Sequence, residues 1–365
     1  MTIICRRRIS PFVLSIAVLL SISRPLLAQS ASAEPSAHPA IRLGGFADLE
    51  LHTSSDSARE GLDLAELDLY TSASLSERWS ALAEVVAQRS IHARGARGEA
   101  VLELDLERLY VSYSLSDAFI LELGETHTGI VRWNEREHRS RILQTPIDVP
   151  AIARRPQDDG LWPLRFLGAW TSGRLPGPLG LGYGAGVGVG PEGSAQEEAS
   201  PLDRHRSPAG LLSLSIAPDA LGGLELAIAA YAQHIPTQPA ALRERDVTLS
   251  LSYVERGTEV RAEWARMTHA VTNSPIVYRN TGYYLLLSKR LVGRAERARP
   301  YVLVDRLQIA QGEIALQRVP PENAWATGIR YDFSHHLSMK GEYRSQRSPD
   351  GDREGLLGLQ VGLSF

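Results

Sequence analysis

From Ile41 to Phe365, apolar residues return at every second position in one segment after another. Side chains of an extended strand alternate between its two faces, so this period confines the chain to strands with one oily and one polar face. In I-R-L-G-G-F-A-D-L-E-L-H, Ile41, Leu43, Ala47, Leu49 and Leu51 share one face, and Arg42, Asp48, Glu50 and His52 share the other. The next segment, about 62–75, sets Ala65, Leu67 and Leu69 against Glu66, Asp68 and Tyr70. Trp79, Ala81, Ala83 and Val85 then oppose Ser80, Glu84 and Gln88; the run A-L-A-E-V-V-A also has helical propensity, and the even spacing of its neighbours decides for a strand. In the fourth segment Leu102, Leu104 and Leu106 are even, whereas Leu109, Val111, Tyr113 and Leu115 are odd. One extra residue near Glu107 or Arg108, a β-bulge, accounts for the change of phase.

A fifth strand over about 118–125 precedes a long segment, 126–160. The sixth sets Trp162, Leu164, Phe166 and Trp170 on one face and Arg165 on the other. The seventh, G-L-G-Y-G-A-G-V-G-V-G, turns Leu181, Tyr183, Ala185, Val187 and Val189 outward and has glycine at every inner position over 180–190. No helix signal follows this run, which argues against a nucleotide-binding loop; the missing side chains leave interior room instead. Nine further alternating segments follow, in which Glu259, Arg261 and Glu263 share a face, as do Lys340, Glu342 and Arg344. Connections alternate between short ones (S-E-R, S-D, E-R-G) and long ones around 53–61, 89–98, 126–160, 191–208 and 233–244. The pattern predicts an all-β fold: a transmembrane antiparallel β-barrel of about sixteen strands over 41–365, with extracellular long loops and periplasmic short turns. A soluble sandwich also alternates, but it usually splits a chain this long into linked domains, and no linker is visible.

Arg6, Arg7 and Arg8 precede an apolar run over 12–22 and small residues around Ala28 and Ala33. This is the layout of a signal peptide, 1–28 with cleavage as late as residue 33, which leaves 29–40 as a periplasmic segment. The single cysteine, Cys5, lies ahead of that run, so the mature chain has no disulfide framework and no cysteine-ligated metal. Net charge is −3 and dispersed, with no basic stripe interleaved with aromatics, which excludes a nucleic-acid partner.

The last ten residues, L-L-G-L-Q-V-G-L-S-F, are about the length of a tilted membrane-crossing strand. They resemble the closing strand of bacterial outer-membrane barrels, which the barrel-assembly machinery reads, and this resemblance makes Phe365 the assembly signal. The stretch 124–168 resembles a family of Gram-negative outer-membrane porins distantly similar to phosphate-selective porins. It does so through His127, Thr128, Trp133, Asn134, His138, the L-Q-T at 143–145, residues 150–154, and Asp158, Asp159, Gly160 and Pro163, with the hairpin L-Y-V-S-Y-S-L-S-D-A-F before it. The resemblance implies a water-filled channel for passive diffusion of small hydrophilic or charged solutes, without cofactor. It also implies outer-membrane lipid and lipopolysaccharide as surroundings and a homotrimer as assembly. The family's proline soon after H-T is replaced here, where Gly129 and Ile130 follow. A lysine ladder of the phosphate-selective kind cannot be built from Lys289 and Lys340 alone.

In porins of sixteen strands the third loop narrows the pore, and here that loop carries Arg132, Arg136, His138, Arg139, Arg141, Arg154 and Arg155, the expected constriction. The expected acidic wall, on strands one to five, comprises Asp48, Glu50, Glu66, Asp68, Glu84, Glu103, Asp105 and Glu122. Guanidinium groups facing carboxylates over a narrow aqueous gap would sort solutes by charge. Alternatively the arginines pair with nearby carboxylates and pin the loop; both readings stay open. His127 and His138, eleven residues apart, lack the ligand pattern of a metal site. With no G-x-S-x-G and no H-E-x-x-H, no enzyme is expected. Two other readings remain: a lipid-modifying barrel marked by an outward Ser–His pair near the rim, and a plugged structural or adhesin barrel that does not conduct.

Overall fold

The computed structural model describes residues 40–54, 61–92, 102–136, 143–154, 161–162, 165–191, 206–236, 240–317, 319–347 and 353–365. The signal-peptide segment lies outside them. Sixteen strands follow in chain order: β1 (Ala40–Ser54), β2 (Gly61–Ser74), β3 (Trp79–His92), β4 (Leu102–Ser116), β5 (Phe119–His127), β6 (Arg165–Arg174), β7 (Gly182–Pro191) and β8 (Arg206–Ile216) form the first half. The second half is β9 (Leu224–Ile235), β10 (Leu242–Glu255), β11 (Thr258–Val271), β12 (Val277–Lys289), β13 (Ala298–Gln308), β14 (Glu322–Asp332), β15 (Leu337–Arg347) and β16 (Arg353–Ser364). Each strand pairs antiparallel with its chain neighbours, and β1 pairs with β16, so the sheet has no free edge. Closure satisfies every ladder without water, which is what a spanning sheet requires.

The faces follow the sequence period. On β10, Val247 and Leu249 are exposed on the outside, while Glu244, Asp246 and Thr248 are buried inside. The phase slip in β4 is a bulge: Glu84 pairs with Arg108 and Val85 with Leu106, leaving Glu107 unpaired, so that Glu107 and Arg108 are both buried. A second bulge in β2 was not expected. There Asp48 pairs with Glu66 and Leu49 with Leu64, which leaves Ala65 extra. The sixth strand begins only at Arg165, so Trp162, expected within it, is instead a buried residue of the preceding loop. Leu164 lies outside the described residues.

Tight turns set the strand register at one end of the barrel. Between β10 and β11, Arg256 and Gly257 both take positive φ, 49° and 75°, the two-residue hairpin geometry that suits the twist of paired strands. At the same end the seam closes on the final residue: the Gly45 N–H donates to the Phe365 carbonyl at 2.9 Å, and the Phe365 N–H returns a bond to Gly45 at 3.0 Å. A side chain on Gly45 would come within 2.6 Å of the Phe365 ring.

This register makes a direct prediction. Leu285→Arg places a charge on the lipid face at a cost of about 2–4 kcal/mol at mid-membrane, whereas Ser252→Arg, on the lumen face, costs far less. The temperature at which the unboiled barrel loses its folded mobility on a detergent gel reads the difference. Equal losses at both positions would mean that the assigned faces are exchanged.

Candidate functional site

In the loop between β5 and β6, the described residues 128–136, 143–154 and 161–162 turn into the barrel and are held there at three successive places. Its first part leads into a short helix, α1 (Arg132–Arg136). Ile130, Val131 and Trp133 are buried among inward side chains of β9 to β12, including Tyr231, Met267, Tyr284 and Leu286. The Trp133 ring meets that of Tyr284 edge-on, at 5.4 Å between centroids. Polar groups fix the register: Thr248 donates to the Ile130 carbonyl, and Glu263 accepts the Arg132 N–H at 2.8 Å. The guanidinium groups of Arg132 and Arg136 converge on Glu225 of β9, and Arg132 also binds Glu135.

The second hold is on residues 144–148. Arg330 donates to the Gln144 carbonyl at 2.8 Å and Lys340 to that of Pro146 at 3.1 Å. Thr145 donates to Glu259 at 2.7 Å, and the Ile147 N–H donates to Glu342 at 3.0 Å. Wall cations thus take loop carbonyls and wall carboxylates take loop donors, the pairing that a buried backbone needs. The third hold is a 3-10 turn, Ala151–Ala153, whose Ile152 sits where any side chain on Gly282 would have to be. Beside it, Arg154 binds Glu322 through both terminal nitrogens, at 2.5 and 2.9 Å. Burial works against the charge of Arg154, but Glu322 more than offsets this and raises its pKa above the ordinary arginine value. Glu322 also binds Arg344, which reaches Asp305 at 2.8 Å and the loop's Asp148 at 3.3 Å.

A second loop, 309–321, also enters the interior. Ala315, Leu316 and Val319 are buried, and Glu313 accepts from Asn280 at 2.9 Å and lies 3.0 Å from His269 Nδ1. The other ring nitrogen of His269 is 2.8 Å from Glu244. Burial favours the neutral acid, but the His269 hydrogen bond and charge prevail and hold Glu313 below the usual carboxylate range. This loop was missed in the sequence; its signal was the apolar set Ile314, Leu316 and Val319 inside a connection.

The expected acidic wall is on the inner surface, with Asp48, Glu66, Asp68 and Glu84 buried and Glu50, Asp105 and Glu122 half-buried. Much of it is partnered locally. Glu84 binds Arg108, Asp105 binds Arg165 at 2.5 and 2.8 Å, and Gln360 donates to Asp48 and Glu50 at 3.1 and 3.3 Å. His127 is hydrogen-bonded to Glu107 at 2.9 Å. Arg132, Arg136 and Arg154 bind carboxylates of β9 and β14, not those of the first five strands. His138, Arg139, Arg141 and Arg155 lie outside the described residues, as does the Glu103 side chain.

Two expectations need correction. The interior room expected beside the glycines of β7 is already filled. The Trp170 ring covers Gly184 and Gly186, the Phe166 ring lies over Gly188, and Tyr231 and Gln233 cover Gly190, so neighbouring strands fill the space. Nor is the inner face uniformly polar: Leu211, Ala229, Leu286, Leu303 and Ala326 point inward because the loop brings Trp133, Ile152 and Trp162 to meet them. Next to α1 a cavity of about 420 Å³ is bounded by Arg136, Arg174, Asp219, Glu225 and Ser252. At the short-turn end, His336 Nδ1 lies 3.2 Å from Ser364 Oγ, without a carboxylate on the other ring nitrogen among the described residues.

No family model and no curated protein matches the chain. Solved structures do. An anion-selective porin from Comamonas acidovorans superposes with a TM-score of 0.63 at 14% identity, over 90% of this chain and all of that one. OmpF of Salmonella typhi, in complex with daunomycin, gives 0.61 at 11% identity over 89% and 97%. OmpT, an outer membrane protein of Vibrio cholerae in a trimer form, gives 0.58 at 9% over 90% and 99%. At such identities the likeness is one of fold, and it extends across nearly the whole length on both sides. The chain is a closed sixteen-stranded antiparallel barrel with the fold of outer-membrane porins.

Proposed function

We propose that the protein is an outer-membrane diffusion channel for small hydrophilic or charged solutes in a Gram-negative bacterium, with loop 128–164 as its constriction. The observation that carries this reading is the three-point hold on that loop inside a closed barrel, through Glu225, Glu342 and Glu322. A loop fixed this way narrows the lumen to a defined cross-section, and charges at a narrow water-filled passage act strongly on passing ions because low-dielectric walls focus the field. Arg136, Arg174, Asp219 and Glu225 around the cavity beside α1 place both signs of charge within reach of a solute. The remaining loop arginines, Arg139, Arg141 and Arg155, are proposed to face the acidic wall of β1 to β5. A homotrimer is the proposed assembly, by analogy with the trimer form of the Vibrio cholerae protein.

Planar-bilayer recording under a salt gradient tests the proposal. The purified protein is expected to give steady ohmic steps. The double variant Arg132→Ala/Arg136→Ala leaves Glu225 without its two cations and is expected to move the reversal potential toward cation preference. Absence of any conductance would favour the plugged barrel, and rising noise without a shift in preference would assign both arginines to holding the loop.

A further inference from the structure

The outer surface of the barrel carries a charged patch that the channel reading does not use. At the long-loop ends of β10 to β13, Arg243, Arg245, Arg266, Arg279 and Arg306 are exposed and point outward. Strand pairing places them together. Thr268 pairs with both Arg245 and Arg279, which puts those two arginines about 10 Å apart in one row. Arg266 lies two residues below Thr268 on the same face, Arg243 two residues above Arg245, and Arg306 pairs with Tyr283. None of the five has a hydrogen-bond or ion-pair partner among the described residues, and Arg266 touches only the Trp264 ring, at 5.2 Å. The carboxylates at this level, Glu244, Asp246, Asp305 and Glu322, are all buried on the lumen side.

Outward arginines on a spanning sheet are costly at mid-membrane and nearly free only at the interface. Their position relative to the apolar band is therefore informative. Trp264 pairs with Tyr283 across β11 and β12, and Trp325 stands exposed on β14. Such aromatics mark the membrane boundary. Below Tyr283 run the exposed apolar residues Leu285 and Leu287 of β12, with Val304 and Val302 paired to them on β13. The arginines start at the aromatic level and continue toward the long loops. An exposed apolar strip is thus bordered by five outward arginines, and guanidinium is the side chain suited to bidentate phosphate recognition.

We propose that this patch is a binding site for a phosphorylated glycolipid of the outer leaflet. Its phosphates are held by Arg245, Arg266 and Arg279, with Arg243 and Arg306 at the flanks, and its acyl chains lie on the strip below. The charge complementarity is one-sided: outward carboxylates are absent from this level among the described residues, so the compensating charge comes from another molecule. The site rests on the outer-membrane placement proposed above but not on the channel conducting.

The experiment uses the refolded, full-length protein in detergent, titrated with purified lipid A and with enzymatically dephosphorylated lipid A, followed by native mass spectrometry and by fluorescence binding. Wild type is expected to hold lipid A, and the triple variant Arg245→Gln/Arg266→Gln/Arg279→Gln to bind it roughly tenfold or more weakly, as lost charge-assisted hydrogen bonds require. Arg→Lys at the same three positions keeps charge but loses the fork and is expected to fall between them. Dephosphorylated lipid A should bind wild type and triple variant alike. Millimolar inorganic phosphate should compete poorly, because it lacks the acyl chains. Equal affinity of wild type for the two lipids, or unchanged affinity in the triple variant, overturns the proposal. So does a change of oligomeric state in the lipid-free triple variant, which would assign the patch to contact with a second copy. Recovery of the protein outside the outer-membrane fraction would instead overturn the placement, and folded mobility on an unboiled gel separates that failure from the others.

Discussion

Arg344→Met is expected to destabilise the barrel by about 3–5 kcal/mol, the largest loss foreseen for any single substitution on the lumen wall. Arg344 is only 2% exposed and joins three carboxylates, Asp148 of the loop, Asp305 of β13 and Glu322 of β14. Its removal leaves those acids with Arg154 as their cation. Repulsion among them is then only partly offset, and Asp305 and Glu322 are buried. The temperature of conversion from folded to unfolded mobility on a detergent gel should fall accordingly. Adding Asp305→Asn to Arg344→Met, with Glu322 left to Arg154, should recover much of the loss, because the cost comes from stranded charge more than from missing volume. If the single variant melts like wild type, these groups do not form a coupled buried cluster.

The second large effect concerns the channel. Gly282→Leu fills the space that Ile152 occupies, and overpacking of this kind costs about 1–3 kcal/mol unless something moves. The wall is part of a closed ladder, so the loop is what moves. Displacing the turn Ala151–Ala153 should open the lumen and raise single-channel conductance severalfold, with added noise. Restoring room from the other side, in Gly282→Leu/Ile152→Gly, should return conductance toward wild type. An unaltered trace in the single variant would show that this turn does not limit the current.

Strand faces were legible because lipid and lumen impose opposite chemistry on alternate residues, and a period of two survives in sequence. The bulge at Glu107 was visible for the same reason, as a change from even to odd leucines. The bulge at Ala65 leaves an equal signal, Leu62 and Leu64 followed by Leu67 and Leu69. Loop docking was less legible. Which wall the loop grips depends on where a connection of more than thirty residues crosses the lumen, and no local pattern encodes that. Glu225, Glu322 and Glu342 were visible as residues on inward-type positions, but nothing in their own segments pointed to Arg132, Arg154 or Ile147. The inward tyrosines and leucines of β12 and β13 were hidden behind an assumption that the lumen is wet. The described arginines bind Glu225 of β9 and Glu322 of β14, far along the chain from their own loop.

The grip on the loop has a consequence for the order in which the molecule is made. Residues 130–136 and 143–154 are held by β9 to β15, strands that follow them in the chain, and the cylinder is sealed by the pairing of β1 with β16, the Gly45 and Phe365 bonds included. An apolar cluster containing Trp133, Ile152 and Trp162 cannot be pushed into a finished, water-filled tube without first expelling that water through a passage the cluster itself obstructs. Loop and wall therefore have to meet before the seam between β1 and β16 closes. Contacts this distant in sequence make such closure slow. For this chain, shutting the seam fixes the tube and its contents together.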